Sequence, residues 1–111
     1  MLMLPATTAI YLSRESTDMR KSIDGLSALV QSELKLNAKQ AALFVFFNRQ
    51  RNKVKVLYWD RNGFVVWYKR LARGRYRLPN LVKPATKLSV SDLSCLLEGI
   101  DLLDRGRQLI L

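Results

Sequence analysis

Arg49, Arg51, Lys53 and Lys55 stand at alternate positions, and Lys69, Arg70, Arg73, Arg75 and Arg77 follow in the same stretch. Ten of the chain's 19 basic residues fall between Arg49 and Arg77, a window with one acid, Asp60. Guanidinium and ammonium groups at this density are suited to gripping phosphate oxygens. Such contacts release condensed counterions, so roughly six to ten of them lose about 10³–10⁵ in affinity between 50 and 200 mM salt. Val, Tyr, Trp and Phe are interleaved with the charges in NRQRNKVKVLYWDRNGFVVWYKRLARGRYR. A disordered basic tail lacks that apolar payload. The expected object is a folded β-ribbon with Arg and Lys on its loops and one face. Phosphate contacts position a protein on nucleic acid, whereas sequence readout needs base contacts or shape.

Two further groups bear on the same chemistry. Tyr58, Trp59, Trp67, Tyr68 and Tyr76 are aromatic residues of a type that stacks on unpaired bases, at about 1–3 kcal/mol per base. The tryptophans read as core packing, and Tyr76, between Arg75 and Arg77, is the better stacking candidate. In TDMRK, Arg20 and Lys21 precede an expected helix, whose free N–H groups attract anions. The competing reading is a structural loop in which Asp18 pairs with Arg20 or bonds nearby backbone N–H groups.

Other chemistries find little support. The chain has no histidine, which removes the commonest general base, the commonest zinc ligand and every Ser-His or Cys-His arrangement. A metal nuclease would draw on Asp18, Asp24, Asp60, Glu98 or Asp101, but nothing in their spacing demands it. Asp60 is explained by a turn, and Glu98 and Asp101 by a helix end. No catalytic residue, metal or cofactor is expected. The one cysteine, Cys95, excludes an intrachain disulfide and sits in an apolar helical pattern as a core residue.

The formal charge of +10 costs the compact state some self-repulsion and so points to a partner. Nucleic acid is the first candidate and an anionic membrane the second. No amphipathic helix carries the charge, and no apolar run reaches the ~18 residues of a spanning helix, so no membrane role is expected. The segment MLMLPATTAIYL lacks a basic n-region and contains Pro5, which makes it a poor signal peptide. A cytoplasmic protein of a reducing compartment is expected.

The elements that must position these groups follow from apolar spacing. Residues 1–8 read as a flexible arm, 9–103 as a single α+β domain and 104–111 as a C-terminal tail; 111 residues suit one domain. Residues 10–12 look like a strand. Ser22 is placed to cap a helix reaching about Leu34, with Ile23, Leu26, Leu29, Val30 and Leu34 on one face. Gly25 within it suggests close packing against a strand. Residues 43–47 are wholly apolar and read as a buried strand, followed by a basic loop over 48–53. Strands over 54–59 and 64–71 flank Asn62-Gly63, the strongest short hairpin signal. A two-residue Asn62-Gly63 turn pairs Trp59 with Val66, Leu57 with Tyr68 and Lys55 with Arg70. One face then carries Lys55, Leu57, Trp59, Phe64, Val66, Tyr68 and Arg70, and the other Val54, Val56, Tyr58, Val65, Trp67, Lys69 and Leu71. Residues 74–78 form a further strand or an extended arm. Ser89 and Asp92 resemble a capping box before a helix with a Leu93, Leu96, Leu97, Ile100 stripe. The order β-α-β-β-β(-β)-α predicts an α+β fold: an antiparallel sheet of about four to five strands with two helices packed against it, able to cover one face.

Four segments carry a family likeness: TDMRKSIDGL (17–26), LFVFFNRQRNKVKVLYWDRNGF (43–64), WYKRLARGRYRLP (67–79) and LSCLLEGID (93–101). Their order and spacing over roughly residues 8–101 resemble the small TnpB accessory proteins of the IS-sixty-six family of bacterial insertion sequences, which are unrelated to the RNA-guided nuclease of that name. The resemblance implies a protein of a mobile element needed for transposition, with strand-transfer chemistry carried by a separate, larger DDE-type transposase. It transfers no catalytic role to any residue. Together these readings lead to an expectation of non-catalytic DNA binding through Arg20, Lys21, Arg49, Arg51, Lys53, Lys55, Lys69, Arg70, Arg73, Arg75, Tyr76 and Arg77. The alternative is an adaptor that docks the transposase, with DNA contact incidental. Transposon ends and the transposase are the expected partners, and the apolar tail and edge strands leave room for a homodimer.

Overall fold

The computed structural model describes residue 5 and residues 7–98. Most of the expected arm 1–8 and all of the tail 104–111 lie outside the described residues, as do Ile100 and Asp101. Five strands form one sheet: β1 (Ala9–Ser13), β2 (Ala42–Phe47), β3 (Lys53–Asp60), β4 (Gly63–Arg70) and β5 (Ala85–Leu88). Helix α1 (Ile23–Ser32) connects β1 to β2, and α2 (Val90–Leu97) follows β5. The spatial order is β4-β3-β2-β1-β5.

The α+β fold is as the sequence predicts, with two differences in arrangement. First, the sheet is mixed. β1 and β2 run parallel, with Ile10 opposite Leu43 and Leu12 opposite Val45, while the other neighbours are antiparallel. A parallel pair needs a crossover, and α1 supplies it. Second, the helices lie on opposite faces rather than sharing one. Leu26, Val30 and Leu34 pack with Phe44, Phe46 and Leu57 on one side. Leu93, Leu96 and Leu97 pack with Ile10, Leu12, Leu43, Val45, Phe47, Val54 and Val56 on the other. The central strand β2 is therefore buried at every position, which explains why its sequence, ALFVFF, shows no polar alternation.

The hairpin register also differs. Asp60 opposes Gly63, so Arg61 and Asn62 form the turn, and Arg61 takes the left-handed conformation at φ 52. Moving the turn by one residue shifts every partner by two. Side chains alternate with period two, so both predicted faces survive intact. The gain is across the ladder: Trp59 meets Phe64 edge-on at 4.9 Å, and Lys55 faces Tyr68 instead of Arg70. Aromatic cross-strand pairs stabilise a ladder, and a directly opposed like-charge pair weakens it. Lys53 and Arg70 are opposed instead, at the strand ends.

Strand β5 was not visible in the sequence. ATKL is four residues long, and its pairing with β1 is a tertiary event. The segment 75–80 forms no strand. Helix α1 ends at Ser32 with Glu33 as its cap, yet Leu34 stays buried. Ser22 makes no side-chain capping bond. Gly25 packs against the stem of Lys21, whose Cβ and Cγ lie 3.1 Å from the site of an added Cβ, and not against a strand. The predicted capping box on α2 is formed: Ser89 Oγ accepts from Asp92 N at 3.0 Å, and Asp92 Oδ2 accepts from Ser89 N at 3.3 Å. Cys95 is partly exposed beside the buried leucine stripe.

Candidate nucleic-acid interface

The basic surface is built at one end of the sheet. The β2–β3 loop, residues 48–52, is held by Asn48, which is nearly buried. Its Oδ1 accepts from the backbone N–H groups of Asn52 and Lys53, both at 3.0 Å. Its Nδ2 donates to Asn52 Oδ1 at 2.6 Å and Gln50 Oε1 at 3.3 Å. An asparagine that bonds the backbone a few residues ahead is a turn-former. Here it closes a tight loop with Arg51 at φ 58 and Arg49 and Arg51 exposed. Asn48 was not among the predicted site residues, and its place between an apolar strand and a basic loop was the signal for it.

The arm after β4 returns to this loop. Leu71 N donates to Asn52 O at 2.8 Å, Gly74 turns the chain at φ 75, and Tyr76 N donates to Arg51 O at 2.6 Å. Tyr76 is 1% exposed and meets Phe47 edge-on at 5.1 Å. This corrects the reading of Tyr76 as a stacking residue: its ring belongs to the core and offers no face to a base. Its buried hydroxyl has no hydrogen-bond partner among the described residues, and burial pushes the phenol pKa up. The alternation in RYR is that of an extended segment with one side docked, so Tyr76 points in while Arg75 and Arg77 are exposed.

These connections join the two basic clusters. Lys53 stands opposite Arg70 across the β3–β4 ladder. Arg49, Arg51, Arg73, Arg75 and Arg77 line one groove, and Glu98 lines it with them. A second groove is lined by Thr17, Asp18, Arg20, Asn48, Arg49, Lys53 and Tyr68. Arg49 lines both grooves, which therefore meet at that residue. Among the described residues, Arg49, Arg51, Lys53, Arg70, Arg73 and Arg75 make no side-chain hydrogen bond or ion pair.

Other predicted contacts have partners within the fold. Lys55 Nζ donates to Met19 O and Lys21 O, both at 2.8 Å, and lies 5.3 Å from the centre of the Tyr68 ring. It bolts the 17–22 loop to β3. Lys69 Nζ reaches Leu97 O at 3.4 Å, at the negative end of α2. Arg20 chelates Asp18, with Nη2 to Oδ2 at 2.6 Å and Nε at 3.0 and 3.1 Å from the two carboxylate oxygens. That guanidinium, with the Arg20 backbone N–H donating at 2.9 Å, holds the Asp18 carboxyl at about 2. Lys21 is exposed at the start of α1.

The carboxylates have local roles. Asp18 is taken by Arg20, Asp60 lies 3.6 Å from its chain neighbour Arg61, and Asp92 caps α2. Among the described residues, no group of three His, Cys, Asp or Glu side chains is placed to hold a metal ion. No described helix is long and apolar enough to cross a membrane.

The chain matches the family described as "IS66 Orf2 like protein" over residues 8–107. It belongs to that family. The IS66 Orf2-like proteins are associated with insertion sequences, and the likeness seen in TDMRKSIDGL and the basic hairpin is the family's. Two relatives come from Sinorhizobium fredii (strain NBRC 101917 / NGR234). The uncharacterized protein y4hO is 39% identical over 101 residues, spanning 89% of this chain and 88% of its own. The uncharacterized protein y4jC is 29% identical over 92 residues, spanning 83% and 79%. No solved structure matches at a significant level.

Proposed function

We propose that this IS66 Orf2-like protein acts in transposition as a non-catalytic DNA-binding factor that grips phosphates with the basic end of its sheet. The observation that carries the reading is the uncompensated set Arg49, Arg51, Lys53, Arg70, Arg73 and Arg75, drawn together by the Asn48 loop and the docked Tyr76 arm. Cations left without acidic partners, on a chain of net charge +10, suit a polyanion. Membership of an insertion-sequence family makes element DNA the natural polyanion. Lys55 is spent on holding the 17–22 loop, Lys69 on the C-terminal end of α2, and Arg20 is shared with Asp18.

The test is an anisotropy titration on duplexes carrying element ends and on random duplexes, across a salt series. Salt-sensitive binding to both is expected, because phosphate contacts carry no sequence information. Absence of binding even at about 50 mM salt, where counterion release is most favourable, removes the proposal. Capture of the element's transposase under those conditions, in the presence of nuclease, would instead favour the adaptor role.

A further inference from the structure

The second basic groove contains an aromatic ring that the phosphate-binding reading leaves unused. Tyr68 is 49% exposed, and the other large exposed apolar side chains among the described residues are Ile23 and Val82. The remaining ribbon aromatics are occupied. Tyr58 and Trp67 pack on the α2-side core, Trp59 lies against Phe64, and Tyr76 is buried.

Tyr68 is also held in place. Lys55, directly opposite on β3, sets its ammonium 5.3 Å from the ring centre. That ammonium is fixed in turn by the carbonyls of Met19 and Lys21. Arg49, Lys53 and Arg20 share the groove with the ring, and the one acid there, Asp18, is neutralised by Arg20, so cations flank a half-exposed aromatic surface. A rigid ring among cations is how single-stranded nucleic acid is held: the cations follow the backbone and bases stack on the aromatic. Duplex DNA gives such a ring little to do, because its bases already stack on one another.

Building on the DNA-binding reading, we propose that Tyr68 is a base-stacking residue and that the groove takes single-stranded DNA, as at a frayed or nicked end. Arg49, Lys53 and Arg20 accompany its phosphates. Arg20 contributes through donors not committed to Asp18.

Three probes of matched length test this: an oligothymidylate of about 15 nucleotides, near the upper single-fold site size, its abasic counterpart, and a duplex. The abasic strand keeps the phosphates and lacks the bases. The protein is expected to bind the oligothymidylate roughly 5- to 150-fold more tightly than the abasic strand. Tyr68→Ala should remove that preference, Tyr68→Phe should retain it, and neither should alter duplex affinity. Circular dichroism melts confirm that both variants fold; Tyr68→Phe keeps the test open if Tyr68→Ala does not. Equal affinity of the wild type for the two single strands overturns stacking while leaving phosphate binding intact. So does a preference that survives Tyr68→Ala. Failure of all three probes to bind sinks the DNA-binding reading itself.

Discussion

Replacing Arg49 and Arg51 together by glutamine separates cations that face outward from those spent inside the fold. Six basic side chains at the sheet end lack partners among the described residues: Arg49, Arg51, Lys53, Arg70, Arg73 and Arg75. If each meets one phosphate of a duplex, the slope of log affinity against log salt is about −5.4, and affinity falls roughly 10³-fold between 50 and 200 mM. Removing two contacts brings the slope to about −3.6 and the loss to roughly 10²-fold. Glutamine removes the charge while keeping a polar, unbranched side chain, and it leaves the backbone bonds of the loop untouched. Lys55→Met is the contrasting variant. It removes one positive charge, but that charge is bonded to Met19 O and Lys21 O. The slope should therefore stay within a few tenths of the wild-type value, while the melting temperature drops by about 4–8 °C for each kcal/mol lost. Fluorescence anisotropy on one random duplex across a salt series measures all three proteins. A Lys55→Met slope shallower by about one unit, or an unchanged slope in the double variant, refutes the division of roles.

Asp18 should titrate near 2, well below its ordinary 3.8, because the Arg20 guanidinium and backbone N–H favour its charged form. Its contribution to stability is then complete above the ordinary value and is lost as pH falls through the folded value. A carboxyl NMR titration that stays near 2 in Arg20→Gln contradicts this cause. Asn48→Ala leaves the N–H groups of Asn52 and Lys53 without their acceptor and should cost about 2–4 kcal/mol, read from the urea midpoint; a loss under about half a kcal/mol means the loop holds itself. Tyr76→Phe removes a buried hydroxyl without a described partner and should leave stability equal or higher, so a clear fall in melting temperature would reveal a bond to that oxygen. Ser89→Ala removes one half of the capping box and should cost about 1 kcal/mol by denaturation.

Much of this protein was legible in its residues because the relevant signals are local. Helical periodicity marked α1, an unbroken apolar run marked β2, Asn62-Gly63 marked the ribbon, and Ser89 with Asp92 announced the start of α2. The two faces of the hairpin were assigned correctly even though its register was off by two, since the pleat repeats every two residues. The parallel pairing of β1 with β2 was not read from the sequence, which predicts an antiparallel sheet, although a helix between two strands is the usual route to a parallel pair.

What the sequence by itself determined was the kind of surface: an excess of cations woven into an apolar ribbon, with no histidine chemistry. The tertiary structure decided which of those groups face outward. Lys55 and Tyr68 share a sequence pattern with Arg49 and Tyr76, yet each pair divides. One cation fastens a loop while the other is open, and one ring is exposed while the other fills the core. That division depends on contacts between residues far apart in the chain, such as Lys55 with Met19 and Tyr76 with Phe47. Charge and polarity belong to the residue, whereas exposure belongs to its neighbours, and the neighbours are chosen only when the chain folds.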